Sequence, residues 1–406
     1  MTPAGGRPAA GIRLSDTQRR DWLRLSRSEG IGPRTFKGLI NRFGGAAAAL
    51  EHLPALARAR GRSVQIPGVG DIEAEMRQAE RQGVRFLASG EEDYPPLLLE
   101  IDGPPPILAF KGRLDLLHGR AVAIVGARNA SAAGRKMAAR LASGLAEARY
   151  AVVSGLARGI DTEAHRASLE GGTVAVLAGG LDRPYPPENQ ALFEEIAERG
   201  TVVSEMPLGL SPRGRDFPRR NRLISGLALG VVVVEAARRS GSLITARMAN
   251  EQGREVFALP GSPLDPRCEG TNDLLRQGAS IATSVEDILE MLAPLAGEME
   301  RAPRLFREAP SPEDDRLFEE WDEGDAPPAA GDACASAYSV EDEAEAGETS
   351  PRMRLLGLLA VDPVEVDVLA RMSQLSARAV QELLIELELS GAITRHPGNR
   401  VARAIN

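Results

Sequence analysis

Cysteine, histidine, lysine and long apolar runs are all scarce in this chain of 406 residues. Two cysteines, Cys268 and Cys334, exclude a disulfide framework, and with only four scattered histidines they also exclude a zinc ribbon or a four-ligand metal site. Neither a metal nor a cofactor is expected. No apolar run reaches the roughly 18 residues a membrane span needs, and the N-terminal MTPAGGRPAAGIRL lacks the apolar block of a secretory signal. A cytoplasmic protein with no membrane partner is therefore expected. Of the 49 basic residues only Lys37, Lys111 and Lys136 are lysines. Arginine suits phosphate forks, but base composition alone also produces such a ratio, so it carries no weight by itself.

What is present is too long for one core and, at 43% hydrophobic and 26% charged, too mixed for a fibre or a wholly disordered chain. Residues 298–348 hold 17 Asp and Glu against 4 Arg, a local charge of -13; since the whole chain carries -8, the remainder carries +5. The folded parts are mildly basic. Residues 12–110 read as an N-terminal helical domain with two glycine turns, Glu29-Gly30-Ile31-Gly32-Pro33 and Ile66-Pro67-Gly68-Val69-Gly70, spaced as in a helix-hairpin-helix or SAM-like module. Such turns either offer backbone N–H groups to a DNA phosphate or only reverse the chain.

Residues 111–294 repeat strand, glycine turn and helix: VAIVGA, YAVVSG, TVAVLAGG, TVVSE, GVVVVEA and REVFALPG. Continuous apolar strands alternating with helices predict an α/β fold, an extended Rossmann-like, doubly wound and mostly parallel sheet. Residues 295–350 are expected to be a disordered acidic linker, and residues 351–406, three helical patterns and two short strands, a winged-helix-like domain.

In a doubly wound sheet ligands lie beyond the carboxyl ends of the strands. The first turn carries Gly126, Arg128 and Ser131, a combination fit for an anion; it lacks Gly-x-Gly-x-x-Gly, and the chain has no Gly-x4-Gly-Lys-Ser/Thr. The second carries Gly155 and Arg158. Asp161, Glu163 and His165 follow, but Glu163 points away from the other two on a helix, so capping by Asp161 and packing by His165 are expected rather than a metal site. The segment from Ser211 to Arg222 holds Arg213, Arg215, Arg219, Arg220 and Arg222, with Phe217 and Asn221 among them. Cations to neutralise phosphates beside an aromatic face for a base are the combination of single-strand grooves. A helix over Leu223–Leu229 is expected to hold them near the sheet. Ser242 and Thr245 can present hydroxyls and helix-start N–H groups to a further phosphate. Glu205 and Glu235 sit at strand ends, where a general acid and base would sit, but no nucleophile is legible beside them and holding arginines is the simpler role.

The motifs SGLARGIDTEAH, AVLAGGLDRPYPPEN, FPRRNRLISGLA, EAARRSGSLITA and ALPGSPLDPRCEGTNDLLRQGA, in this order, resemble the DNA-processing protein A family (DprA, also called Smf) across about residues 110–293. The resemblance implies a protein that binds single-stranded DNA without catalysis, self-associates as a homodimer, and protects incoming DNA and loads the RecA recombinase in natural transformation. By motif it places DNA contacts at Gly126, Arg128 and Ser131 and at Phe217, Arg219, Arg220, Asn221 and Arg222, with Phe217 stacking a base. Ala127 stands where the family often has serine, and the acidic linker is longer than the family's usual one. The competing reading is a nucleotide-hydrolysing phosphoribohydrolase of the lysine-decarboxylase-like class. Its Pro-Gly-Gly-x-Gly-Thr loop is missing, the nearest approach being Ser240-Gly241-Ser242-Leu243-Ile244-Thr245. The last long helical pattern, Ser376–Leu389, offers Arg378 as its one base-reaching cation, so the tail reads either as a duplex reader or as a protein-contact or autoinhibitory module.

Overall fold

The structure, a computed structural model, describes residues 13–59, 61–301 and 350–404. It divides into two compact units, with the chain passing from one to the next at Phe110–Lys111. The first unit holds α1 (Asp16–Ser26), α2 (Pro33–Phe43), α3 (Ala46–Ala59), α4 (Val69–Arg81), β1 (Arg85–Ala88), α5 (Pro96–Leu99) and β2 (Ile107–Gly112), whose last residues lie past that point. Leu25, Phe36, Leu39 and Leu53 form its core, and Trp22 meets Phe36 edge-on at 5.0 Å. Both glycine turns open helices. Gly32 precedes Pro33 at the first position of α2, and Gly68 caps α4. At the second turn the Gly68 N–H donates to the Asp71 carboxylate, so that donor is already occupied by an anion.

The second unit begins with β3 (Ala121–Val125), α6 (Ala132–Glu147), β4 (Ala151–Ser154), α7 (Ile160–Ser168), β5 (Thr173–Val176), α8 (Gln190–Arg199) and β6 (Thr201–Ser204). It continues with α9 (Asp216–Gly226), β7 (Gly230–Val233), α10 (Gly241–Glu251), β8 (Glu255–Ala258), α11 (Glu269–Arg276), β9 (Ser280–Ile281) and α12 (Val285–Arg301). Its strands are parallel and lie in the order β6-β5-β4-β3-β7-β8-β9. They are buried because helices cover both faces; Val122, Val153, Val203, Val232 and Phe257 have no exposed surface. The chain winds outward from β3 to β6 and then returns to β3's other side with β7. That reversal opens a crevice beyond the strand ends, between the turns after β3 and β7.

The helix α12 runs past residue 294, into the stretch read from composition as linker. The rest of that stretch, 302–349, lies outside the described residues. A third module follows in the second unit: α13 (Pro351–Leu358), β10 (Val364–Glu365), α14 (Val366–Ser373), α15 (Ala377–Leu389), β11 (Ile393–His396) and β12 (Arg400–Arg403). Its antiparallel sheet, in the order β10-β12-β11, and three helices form a winged helix around Leu355, Leu369, Leu384 and Val401. The β10 strand is an addition to the two strands read from the sequence. Among the described residues no helix is long and apolar enough to cross a membrane, and no cluster of His, Cys, Asp and Glu is placed to hold a metal.

Candidate nucleic-acid interface

The turn after β3 packs tightly. A Cβ on Gly126 would come within 2.7 Å of Ile160, and one on Gly159, whose φ is +72°, would strike the carbonyl oxygens of Ala127 and Arg128. Two bare glycine backbones thus let this turn lie directly on the start of α7. From it Arg128 reaches over the face of Phe217, its guanidinium carbon 5.5 Å from the ring centroid, a cation–π distance. Phe217 also meets Arg220 at 5.8 Å and Tyr185 edge-on at 5.8 Å.

Arg220 is the floor of the crevice. It is buried, and its Nη1 donates to the carbonyls of Gly155 at 2.5 Å and Val176 at 2.6 Å. Gly155 must be glycine here, since a Cβ would stand 2.4 Å from that nitrogen. On the far side α10 begins, capped by Ser240, whose hydroxyl lies 2.7 Å from that of Ser242. Asn221 donates to the Gly241 carbonyl and ties α9 to this helix start. The cavity so formed has about 490 Å³ and takes in Gly126, Arg128, Arg220, Asn221, Ser242 and Thr245.

Other expected site residues are elsewhere. Ser131 is fully buried as the cap of α6; its N–H and hydroxyl both donate to Glu235. Glu235 therefore holds a helix start rather than an arginine. Arg158 pairs with Glu188 at 2.6 Å. Arg213 and Arg215 are exposed at the entry to α9. Arg219 and Arg222 converge on Glu205 at 2.9 and 2.5 Å. Burial alone would push the Glu205 carboxyl up, but Arg222 and Arg219 outweigh it and hold the group below its ordinary range. That pairing fits the expected role of Glu205. Phe217 differs from expectation: only 7% exposed, it offers no open face to a base and instead supports Arg128 and Arg220 from beneath. The sequence placed it ahead of a helix expected over Leu223–Leu229, whereas α9 already begins at Asp216 and turns Phe217 inward with Ala178.

Asp161 and His165 are internal. The Asp161 carboxylate accepts the N–H groups of Gly155 and Ala157, bracing the second turn; burial pushes its pKa up, against Arg220 and those N–H donors. Thr173 gives its hydroxyl proton to the Val152 carbonyl, so His165 Nδ1–H donates to Thr173 at 2.7 Å and Nε2 accepts the Leu156 N–H. That fixes the neutral tautomer, and burial followed by Arg220 lowers the pKa to about 3. The sequence reading passed over Asp265, Arg267 and Arg403, which also line the cavity. Arg267 and Asp265 stood inside a quoted motif without a role, and Arg403 had no local signal.

Fold and crevice together define a doubly wound α/β protein with an arginine-rich cleft at its strand reversal and a winged helix in the same unit. Comparison with known proteins is specific. Residues 85–293 match the family described as DNA recombination-mediator protein A, residues 16–78 the DprA-like N-terminal HHH domain, and residues 339–399 the DprA winged helix domain. The chain belongs to the DNA recombination-mediator protein A family, whose members are called DprA or Smf. Protein Smf of Synechocystis sp. is 32% identical over 96% of this chain and 100% of its own. Protein Smf of Escherichia coli is 37% identical over 81% of this chain and 80% of its own. The crystal structure of DNA processing protein A from Streptococcus pneumoniae superposes with a TM-score of 0.58 at 32% identity, covering 69% of this chain and 98% of that one.

Proposed function

We propose that the crevice holds the phosphate backbone of single-stranded DNA, and that the protein works in the cytoplasm on DNA taken up in natural transformation. The observation that carries this reading is the placement of Arg128: a guanidinium held over an aromatic ring, at a glycine turn, across from the N-terminus of α10. Its fork matches two phosphate oxygens, while the helix start offers N–H groups and the positive end of a dipole. The exposed Arg213, Arg215, Arg238 and Arg239 add charge that draws in a polyanion. Protection of the strand, its delivery to a RecA recombinase and action as a homodimer extend the reading on family membership alone.

Binding rather than bond cleavage suits the side chains here. His165 has both ring nitrogens engaged in the interior, and burial followed by Asp265 pushes the Cys268 thiol up to about 11, so neither is a ready base or nucleophile. The test is a salt-series titration of single- and double-stranded oligonucleotides against the wild type and Arg128→Ala. The wild type should prefer the single strand. The variant should bind it about tenfold more weakly, with the log–log salt slope shallower by about 1 and thermal unfolding unchanged. Equal affinity and slope in the two proteins would reject the site.

A further inference from the structure

The winged helix supplies one wall of this crevice. Arg267, on the turn after β8, is fixed by Asp265, its Nε donating to Oδ1 at 3.1 Å and its Nη2 to Oδ2 at 2.9 Å. The same guanidinium reaches the carbonyls of Gly357 at 3.1 Å and Leu359 at 2.7 Å, at the C-terminal end of α13. Those are acceptors that a helix end leaves without intrahelical partners, so Arg267 fastens the module to the α/β domain through groups that need a donor. Ala132, the first residue of α6, is buried in the winged helix's own apolar core beside Leu355 and Leu358. Gly357 lies so close to Asn129, a neighbour of Arg128, that a Cβ there would come within 2.8 Å of the Asn129 amide oxygen. From β12, Arg403 faces the cavity and acts on Asp265.

At about 490 Å³ the cavity has room for one nucleotide-sized unit, and it stays open to solvent over part of its surface. A strand running through the crevice must leave it at both ends, and Gly357 and Arg403 occupy one side. On the reading of the crevice as a DNA-phosphate site, we infer that the docked winged helix makes it a composite pocket for a single nucleotide bearing a phosphomonoester. Arg128 and Arg403 then meet the phosphate from opposite walls, and a 5′-phosphorylated strand end is the form in which DNA enters. A continuous strand enters only when the module lets go. Binding of an endless strand and docking of the winged helix therefore exclude each other.

Two variants of the full chain loosen the wall from different sides. Arg267→Ala removes the fastening, and Gly357→Leu forces α13 off Asn129 without altering the α/β domain. Four probes are titrated by fluorescence competition: dTMP, a 5′-phosphorylated oligo-dT, its 5′-hydroxyl counterpart, and closed circular single-stranded DNA. In the wild type dTMP should displace the oligonucleotide, and the 5′-phosphorylated form should bind about tenfold tighter than the 5′-hydroxyl form. Preference for dTMP alone would identify free nucleotide as the ligand source, and preference for the phosphorylated end would identify DNA. In both variants circular DNA should gain about tenfold in affinity while dTMP loses about as much. If Arg128→Ala weakens strand binding about tenfold yet neither wall variant changes the ratio of circular DNA to dTMP, the composite pocket is wrong and the DNA site stands. If Arg128→Ala leaves all binding unchanged, both fall.

Discussion

Single side chains in this protein act mostly by holding other side chains. Phe217 is the clearest case, since its buried ring is the surface on which Arg128 lies. Phe217→Ala should cost about 3–5 kcal/mol in a urea titration through the cavity it leaves. Phe217→Leu should recover most of that stability but not the DNA affinity, because an aliphatic side chain has no π face for the guanidinium. Full recovery of affinity by leucine would show that Arg128 needs no ring beneath it. His165 makes a second residue-scale prediction. Its folded pKa of about 3 lies below the unfolded value of 6.5, so the unfolded chain binds the extra proton between them. The stability from neutral His165 is complete above pH 6.5 and is lost as pH falls toward 3, at up to about 1.4 kcal/mol per pH unit. Asp161, pushed up by burial, works in the opposite sense, so the contribution is read as the difference between the wild type and His165→Gln. The stability of the variant should fall less steeply between pH 6.5 and pH 4; parallel profiles would contradict the neutral assignment.

At the scale of elements, α9 is anchored to the end of β6 by one carboxylate. Glu205 is buried and takes both Arg219 and Arg222. Glu205→Gln should destabilise the protein by about 2–3 kcal/mol, since charge-assisted hydrogen bonds are lost and Arg222 keeps its buried charge. It should also weaken DNA binding by disturbing the helix that carries Arg220 and Asn221. Affinity at the wild-type level in a folded Glu205→Gln protein would separate the anchor from the site. Elements of this kind were only partly legible in the sequence. The strands were plain, because VAIV and GVVVV are continuous apolar runs with β-branched residues and glycine at their ends. The start of α9 was not: a helix was expected only from Leu223, and although Glu205 at a strand end read as a holder of arginines, local sequence says nothing about which arginines it takes. Ser131 and Glu235 illustrate the same limit, being joined across 104 positions of sequence. Arg267 escaped notice because its acceptors are backbone carbonyls of a distant module, which leave no mark in side-chain chemistry.

For the whole molecule, charge and topology converge on one place. The net charge of -8 hides a remainder of +5 once residues 298–348 are set aside. The strand order reverses where Arg128, Arg220 and Arg267 stand. On the proposed reading, long-range attraction brings a polyanion to the surface and the fixed arginines at the reversal set where it rests. The most direct measurement is a crystal structure of the full chain with a 5′-phosphorylated oligo-dT. A phosphate about 3 Å from the Arg128 guanidinium and facing the first N–H groups of α10 is the predicted result. A strand bound on another surface, with the crevice at the β3–β7 reversal holding no phosphate, would contradict it.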